Sequence, residues 1–153
     1  MPVGRLVAIF VAVEAGAPMT AVDTATVLQG AGLEGDRYAS GAGHYSARPG
    51  SGRHVTLVEH EAVAAAAHDY GVAIAPGTTR RNLVTDGVAL NHLVDREFTV
   101  GRVVLRGTRL CEPCAYLEDL TAPGVRQALV HRGGLRAEVV RGGTIRVGDP
   151  IGP

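Results

Sequence analysis

The chain of 153 residues contains no lysine, only two cysteines and no excess of charge of either sign. Each shortage removes a class of chemistry. Without lysine there is no internal Schiff base to pyridoxal phosphate or to a carbonyl substrate, and no phosphate-loop lysine. Balanced charge without like-charge runs argues against a sequence-blind nucleic-acid surface. No apolar run reaches the length that spans a bilayer, so neither nucleic acid nor membrane is expected as a partner. The N-terminal apolar run is interrupted by Glu14, and Val7, Ile9, Phe10, Val11 and Val13 fit a buried strand better than an export signal. A cytoplasmic location is the resulting expectation, and in that reducing compartment a permanent disulfide between Cys111 and Cys114 is not.

What the chain does contain is arginine: all fifteen basic side chains are Arg. Each is permanently charged and can fork two parallel bonds onto a phosphate or carboxylate. The length suits one domain over residues 1–153 with a real core.

Along the chain, short β-branched stretches alternate with turn signals. A first strand leads through Gly-Ala-Pro at 16–18 into TAVDTATVLQG, which reads as a second strand. Residues 32–53, rich in Gly, Ser and Pro, read as a long irregular loop of the kind that carries function. RHVTLVE is a strand, and EHEAVAAAAHDYG is an Ala-rich helix that Gly71 ends in a left-handed position. RRNLVTDGV reads as a short strand beginning at Arg80 and Arg81, whose side chains would then leave on opposite faces. GRVVLRGTRL is a strand that runs into CEPC. A short helix is expected from Pro113 and a second over 122–134. LRAEVVRGGTIRVGDPI reads as two strands joined by a Gly-Gly hairpin. The expected class is α+β, mainly β: a closed or partly open β-barrel with about three short helices.

Both cysteines lie in RLCEPCAYL, residues 109–117. A redox pair, half a zinc site, inert core packing and a single thiolate ligand all fit that spacing. The redox pair normally sits in a βαβ unit, which the pattern does not show. Zinc needs four ligands, and the six histidines are scattered without paired spacing.

Several landmarks stand in one order: GLEGDRY, RHVTLVEHEA, RRNLVTDGVALNHLVDREFTVGRVVLRGTRLCEPC and GGLRAEVVRGGTIRVGDPI. That order, over almost the whole chain, resembles the MOSC domain, the C-terminal part of molybdenum cofactor sulfurases, and suggests a small stand-alone member. The resemblance implies a β-barrel and association with the molybdenum cofactor, a pterin that carries a dithiolene-held metal and a phosphate. It implies that Cys114 is the catalytic thiolate and metal ligand, or a sulfur carrier. It places Arg80, Arg81 and Asn82 on the cofactor-anchoring strand, with Gly35, Asp36 and Arg37 as another wall. Family members carry further modules that this sequence lacks, so a small-molecule substrate and a separate electron-donor or sulfur-donor protein are the expected partners.

The residues themselves support part of this. A soft thiolate suits molybdenum already held by sulfur, and the first turn of a helix begun at Pro113 would favour a thiolate at Cys114. Glu112 opposes it, since a neighbouring negative charge raises a thiol pKa. Gly35 invites a tight turn in which Asp36 caps backbone N–H groups. Arg37 and Arg53 flank the glycine-rich segment, placed to close over an anion. Asn82 is read as a pterin-edge partner because of the resemblance. Two functions follow: a molybdenum-dependent oxidoreductase performing two-electron oxo transfer, such as reduction of N-hydroxylated compounds, or a non-catalytic carrier of cofactor or of sulfur as a Cys114 persulfide.

Overall fold

The computed structural model describes residues 4–43, 54–75 and 77–153. Its strands are β1 (Gly4–Val11), β2 (Thr20–Val22), β3 (Thr24–Leu28), β4 (Gly32–Leu33), β5 (Val55–Glu59), β6 (Leu83–Asp86), β7 (Glu97–Val100), β8 (Val103–Leu110), β9 (Leu135–Arg141), β10 (Gly143–Arg146) and β11 (Pro150–Gly152). The helices are α1 (Arg37–Ser40), α2 (His60–Tyr70), α3 (Ala115–Leu120) and α4 (Val125–Ala128), with one 3₁₀ turn at Leu90–Leu93.

Seven strands close into a barrel in the order β11-β7-β8-β9-β5-β6-β1, and β1 pairs back to β11. Closure leaves no long open edge, which solves the pairing problem that an open sheet of such short strands would face. The interior is apolar: Leu6, Ile9, Leu57, Leu83, Phe98 and Leu135 are all sealed within it. Each such side chain contributes about 1.5–3 kcal/mol of burial. The expected mainly β barrel is therefore the architecture found, with four α-helices rather than three among the described residues.

The first strand is less buried than its composition suggests. Ile9 and Phe10 are buried, but Val7 is 39% exposed and Val13, beyond the end of β1, is 73% exposed. Alternation along β1 sends Val7 outward.

β5 and β6 run parallel. Parallel neighbours need a crossover, and α2 supplies it. The chain thus contains one βαβ unit that the strand pattern did not suggest, and the two cysteines lie outside it. Gly71 ends α2 at φ 66°, as expected, and its N–H bonds to the carbonyls of Ala66 and Ala67.

Two connections differ from the sequence reading. TAVDTATVLQG is two strands: β2 pairs with β1 in the barrel, whereas β3 pairs with β10 and β4 in a separate three-stranded sheet. RGGT at 141–144 is no hairpin, because β9 stays in the barrel and β10 pairs with β3. The glycines turn a corner between sheets. At Gly142 a Cβ would come within 2.4 Å of the Val27 carbonyl oxygen, so the corner admits no side chain.

Outside the barrel, α2, α3 and α4 share a second apolar cluster of Ala66, Leu117, Val125, Ala128 and Leu129. The helix expected over 122–134 is a single turn. Its start is held by Glu118, whose Oε1 accepts from the N–H groups of Gly124 and Arg126 at 3.0 and 3.2 Å. Beyond Leu129 the chain continues as turns with His131 at φ 62°. No helix among the described residues is long and apolar enough to cross a membrane.

Candidate functional site

One wall of the site is built around Asp36. Gly35, at φ 85°, allows the tight turn closed by the Asp36 N–H on the Leu33 carbonyl at 3.0 Å. Asp36 then caps α1: Oδ2 accepts from the Tyr38 N–H at 3.2 Å. Its Oδ1 accepts from the Ala12 N–H at 3.0 Å and from Arg37 Nη1 at 3.1 Å. Within the expected irregular loop, residues 32–40 thus form β4 and α1. Residues 44–53 lie outside the described residues, so Arg53 and the proposed closure over an anion are not placed.

Arg37, 5% exposed, is held on three sides. Nη1 meets Asp36 and, at 3.6 Å, the sulfur of Met19, while Nη2 donates to the Arg80 carbonyl at 3.1 Å. Its guanidinium lies 4.7 Å from the centre of the Tyr38 ring, within the range of a cation–π contact.

The second wall is the turn before β6. The strand begins at Leu83, not at Arg80, and Arg80 sits in left-handed backbone at φ 60°. The alternation that would have separated Arg80 from Arg81 therefore does not operate, and both line the same cleft. Arg80 is 9% exposed. Its Nη1 donates to the Ala17 carbonyl at 2.6 Å, and its Nη2 is buried with no partner among the described residues. Burial, and then the neighbouring charge of Arg37, lower its pKa from the ordinary arginine value.

Arg81 is committed to backbone. Nε bonds to the Gly133 carbonyl at 2.8 Å, Nη1 to Thr79 at 3.3 Å and Nη2 to Cys111 at 2.9 Å. It ties the turn to the end of β8 and to the start of β9. Gly134, at φ 121°, lets the chain pass there, since a Cβ would lie 2.0 Å from the Leu57 carbonyl oxygen.

The third wall is CEPC. Cys111 is buried, and its N–H bonds to the Gly134 carbonyl at 2.7 Å. Cys114 is half-buried and is the N-cap of α3, with extended backbone at φ −131°. It thus precedes the first turn instead of lying inside it, because the helix begins at Ala115 and not at Pro113. Glu112 lines the same cleft, with its carboxylate engaged by His131. Its Oε2 meets His131 Nδ1 at 2.8 Å, and its Oε1 accepts from the His131 N–H at 2.7 Å.

These walls enclose a cleft of about 100 Å³, with room for several waters or a small tetrahedral anion. Cys111, Cys114, Arg37, Arg80 and Arg81 all line it. So do Arg136 of β9, Thr56 of β5, Tyr38 and Tyr116, none of which the sequence reading singled out as site residues. Arg136 stands opposite Thr56 across β5 and β9. Only that pairing could have flagged either residue.

Asn82 requires a correction. It is wholly buried and absent from the cleft lining. Its Oδ1 accepts from the Thr56 N–H and hydroxyl at 3.1 and 3.2 Å, and its Nδ2 donates to the Phe10 carbonyl at 3.0 Å. It joins β1, β5 and β6 and offers no edge to a ligand. Gly35 and Asp36 likewise shape the wall from behind.

Among the described residues no three His, Cys, Asp or Glu side chains converge to hold a metal. The cleft offers the half-buried sulfur of Cys114 amid four guanidinium groups. A soft donor of that kind suits a metal that arrives with sulfur ligands of its own.

A protein-family model described as the MOSC domain matches residues 43–152. No curated protein matches the chain in sequence. Among solved structures, the YuaD protein from Bacillus subtilis superposes with a TM-score of 0.78 at 17% identity, covering 98% of this chain and 94% of that one. YiiM from Geobacillus stearothermophilus gives 0.70 at 18% identity, covering 97% and 74%. YiiM from Escherichia coli gives 0.66 at 20% identity, covering 97% and 68%. At these identities the likeness speaks for the fold.

Proposed function

The chain belongs to the MOSC domain family, and from that premise we propose that its arginine-lined cleft receives the metal- and phosphate-bearing end of the molybdenum cofactor, for two-electron oxo transfer such as reduction of N-hydroxylated compounds. The observation that carries the reading is the convergence of Cys114 with Arg37, Arg80, Arg81 and Arg136 on one cleft. When bound, the cofactor supplies the redox chemistry at its metal.

The chain's own residues bind and orient. Cys114 offers the soft sulfur ligand. The four guanidinium groups supply a positive field for the cofactor's phosphate. Arg81, its nitrogens already on three carbonyls, acts mainly by fixing the Cys111 backbone, and so the approach to Cys114. Tyr38 and Tyr116 add phenol groups to the lining. Reduction of an N-hydroxyl group consumes two electrons and two protons and releases water. The electrons come from a separate donor protein.

The test is metal and pterin analysis of the chain purified from a host that makes the cofactor, in parallel with Cys114→Ser. Stoichiometric molybdenum that the variant loses supports the reading. Absence of molybdenum and pterin, with a persulfide on Cys114 by mass spectrometry, replaces it with a sulfur-carrier role. Absence of both adducts overturns either role.

A further inference from the structure

Arginine gathers a second time, at the far ends of the strands that build the cleft. The turn between β7 and β8, the end of β9, the glycine corner and β10 surround an open hollow of about 1030 Å³. Arg102 comes from that turn, Arg141 is the last residue of β9 and Arg146 the last of β10, and all three line the hollow. β9 presents Arg136 to the cleft and Arg141 to the hollow, and the five residues of strand between them span roughly 17 Å. No residue lines both spaces.

The three side chains are exposed, and among the described residues none is ion-paired with a carboxylate. Arg141 leans toward the turn, its Nη2 3.5 Å from the Arg102 carbonyl oxygen. Asp149 is the one carboxylate of the lining, and it is committed to backbone: Oδ2 accepts from the Arg146 N–H at 2.9 Å, while the Asp149 N–H returns to the Arg146 carbonyl at 3.0 Å. It closes the turn after β10. Three positive charges thus face one negative, in a chain whose total charge is balanced.

The rest of the lining is Gly101, Gly142, Gly143 and Thr144. It offers no aliphatic side chain for an apolar body, so charge is what it can recognise. A single strand of nucleic acid also presents phosphates, but its binding relies on rings that stack the bases, and this lining has none. Each guanidinium can fork two bonds onto a phosphate. The hollow has about ten times the volume of the cleft, which has room for one small tetrahedral anion. Its three forks stand on separate elements, so the matching ligand carries several linked anionic groups.

We propose that this hollow is a binding site for a small oligophosphate, a short chain of linked phosphates held by Arg102, Arg141 and Arg146. The site is independent of the cofactor reading, because it shares no residue with the cleft.

The experiment titrates inorganic tripolyphosphate, and orthophosphate beside it, into the full ¹⁵N-labelled chain at constant ionic strength. Saturable tripolyphosphate shifts are expected at the amides of Gly101, Arg102, Gly142, Gly143 and Thr144, with orthophosphate about tenfold weaker or more because it engages fewer of the forks. Arg102→Gln and Arg146→Gln are each expected to weaken binding about tenfold. Thr144→Glu, which adds a carboxylate to the lining at an exposed position, is expected to abolish it. Unchanged urea midpoints show that the variants are folded. No saturable shift at these amides, shifts confined to the surroundings of Cys114 and Arg81, orthophosphate as tight as tripolyphosphate, affinity retained in the arginine variants, or tighter binding of a short oligothymidylate or oligoglutamate overturns the proposal. Molybdenum content is measured on separate preparations, so the cofactor reading and this one stand or fall apart.

Discussion

Arg37 donates from Nη2 to the main-chain oxygen of Arg80 at 3.1 Å, 43 positions away in sequence. One cationic wall of the cleft therefore holds the backbone of the next. The bond lies where Arg80 adopts left-handed geometry, unusual for a side chain of this size. The surrounding contacts hold that geometry in place.

The Asp36 carboxylate is what allows Arg37 to be buried there. Asp36→Ala is expected to lower stability by about 3–5 kcal/mol, because it leaves a buried guanidinium uncompensated and removes the acceptor of the Ala12 N–H. Urea unfolding measures it, and a loss below about 1 kcal/mol would show that the pair is not coupled as described.

Asn82→Ala separates the scaffold from the ligand site. It strips partners from the Thr56 N–H and the Phe10 carbonyl, and each group left unsatisfied costs about 1–3 kcal/mol. The expected result is a marked loss in urea unfolding with molybdenum per folded molecule unchanged. Metal loss out of proportion to unfolding would return Asn82 to the ligand.

His54 sets a pH dependence. Its Nδ1 accepts from the Val139 N–H at 3.1 Å, which requires the neutral ring at that nitrogen. Burial lowers its pKa below the ordinary 6.5, partly opposed by Glu138. The unfolded chain therefore binds the proton first as pH falls. Stability from this group is present in full above the unfolded value and is lost as pH drops toward the folded one. The slope for one proton is at most about 1.4 kcal/mol per pH unit. Unfolding midpoints taken between about pH 7.5 and 5 should fall in the native chain and fall less steeply in His54→Gln.

The two thiols should differ in access. Cys111 is buried under the bonds of Arg81 and Gly134, whereas Cys114 is half-buried at the cleft. Iodoacetamide is expected to label Cys114 well before Cys111, as read by peptide mass spectrometry. Equal rates would mean that the CEPC wall opens in solution.

The barrel was legible in the sequence because its strands alternate locally and end on turn residues. Gly71 was legible for the same reason: a helix stop is written within a few positions. The departures all turn on partners far along the chain. Nothing near Asp23 or Gly142 says that the strand leaving it joins another sheet, since that depends on β3 meeting β10 across more than a hundred residues. Arg80 and Arg81 read as strand residues because they precede an apolar run. Their left-handed and backbone-tied geometry comes from Arg37, Ala17, Gly133 and Cys111, and so was invisible locally. Arg136 and Thr56 reach the cleft through the register of β5 against β9. Asn82 lies close to the right place, but its three side-chain bonds go to the scaffold.

The barrel's seam joins Gly4 to Ile151 and Arg5 to Pro150. A ribosome must have polymerised the stretch through Ile151 before β1 can find its last neighbour, so closure is the most non-local event in folding, and contacts of that separation form slowly. Until then the inner faces of β1 and β7 lack the strand that lies between them, and a newborn chain is most exposed to aggregation in that interval.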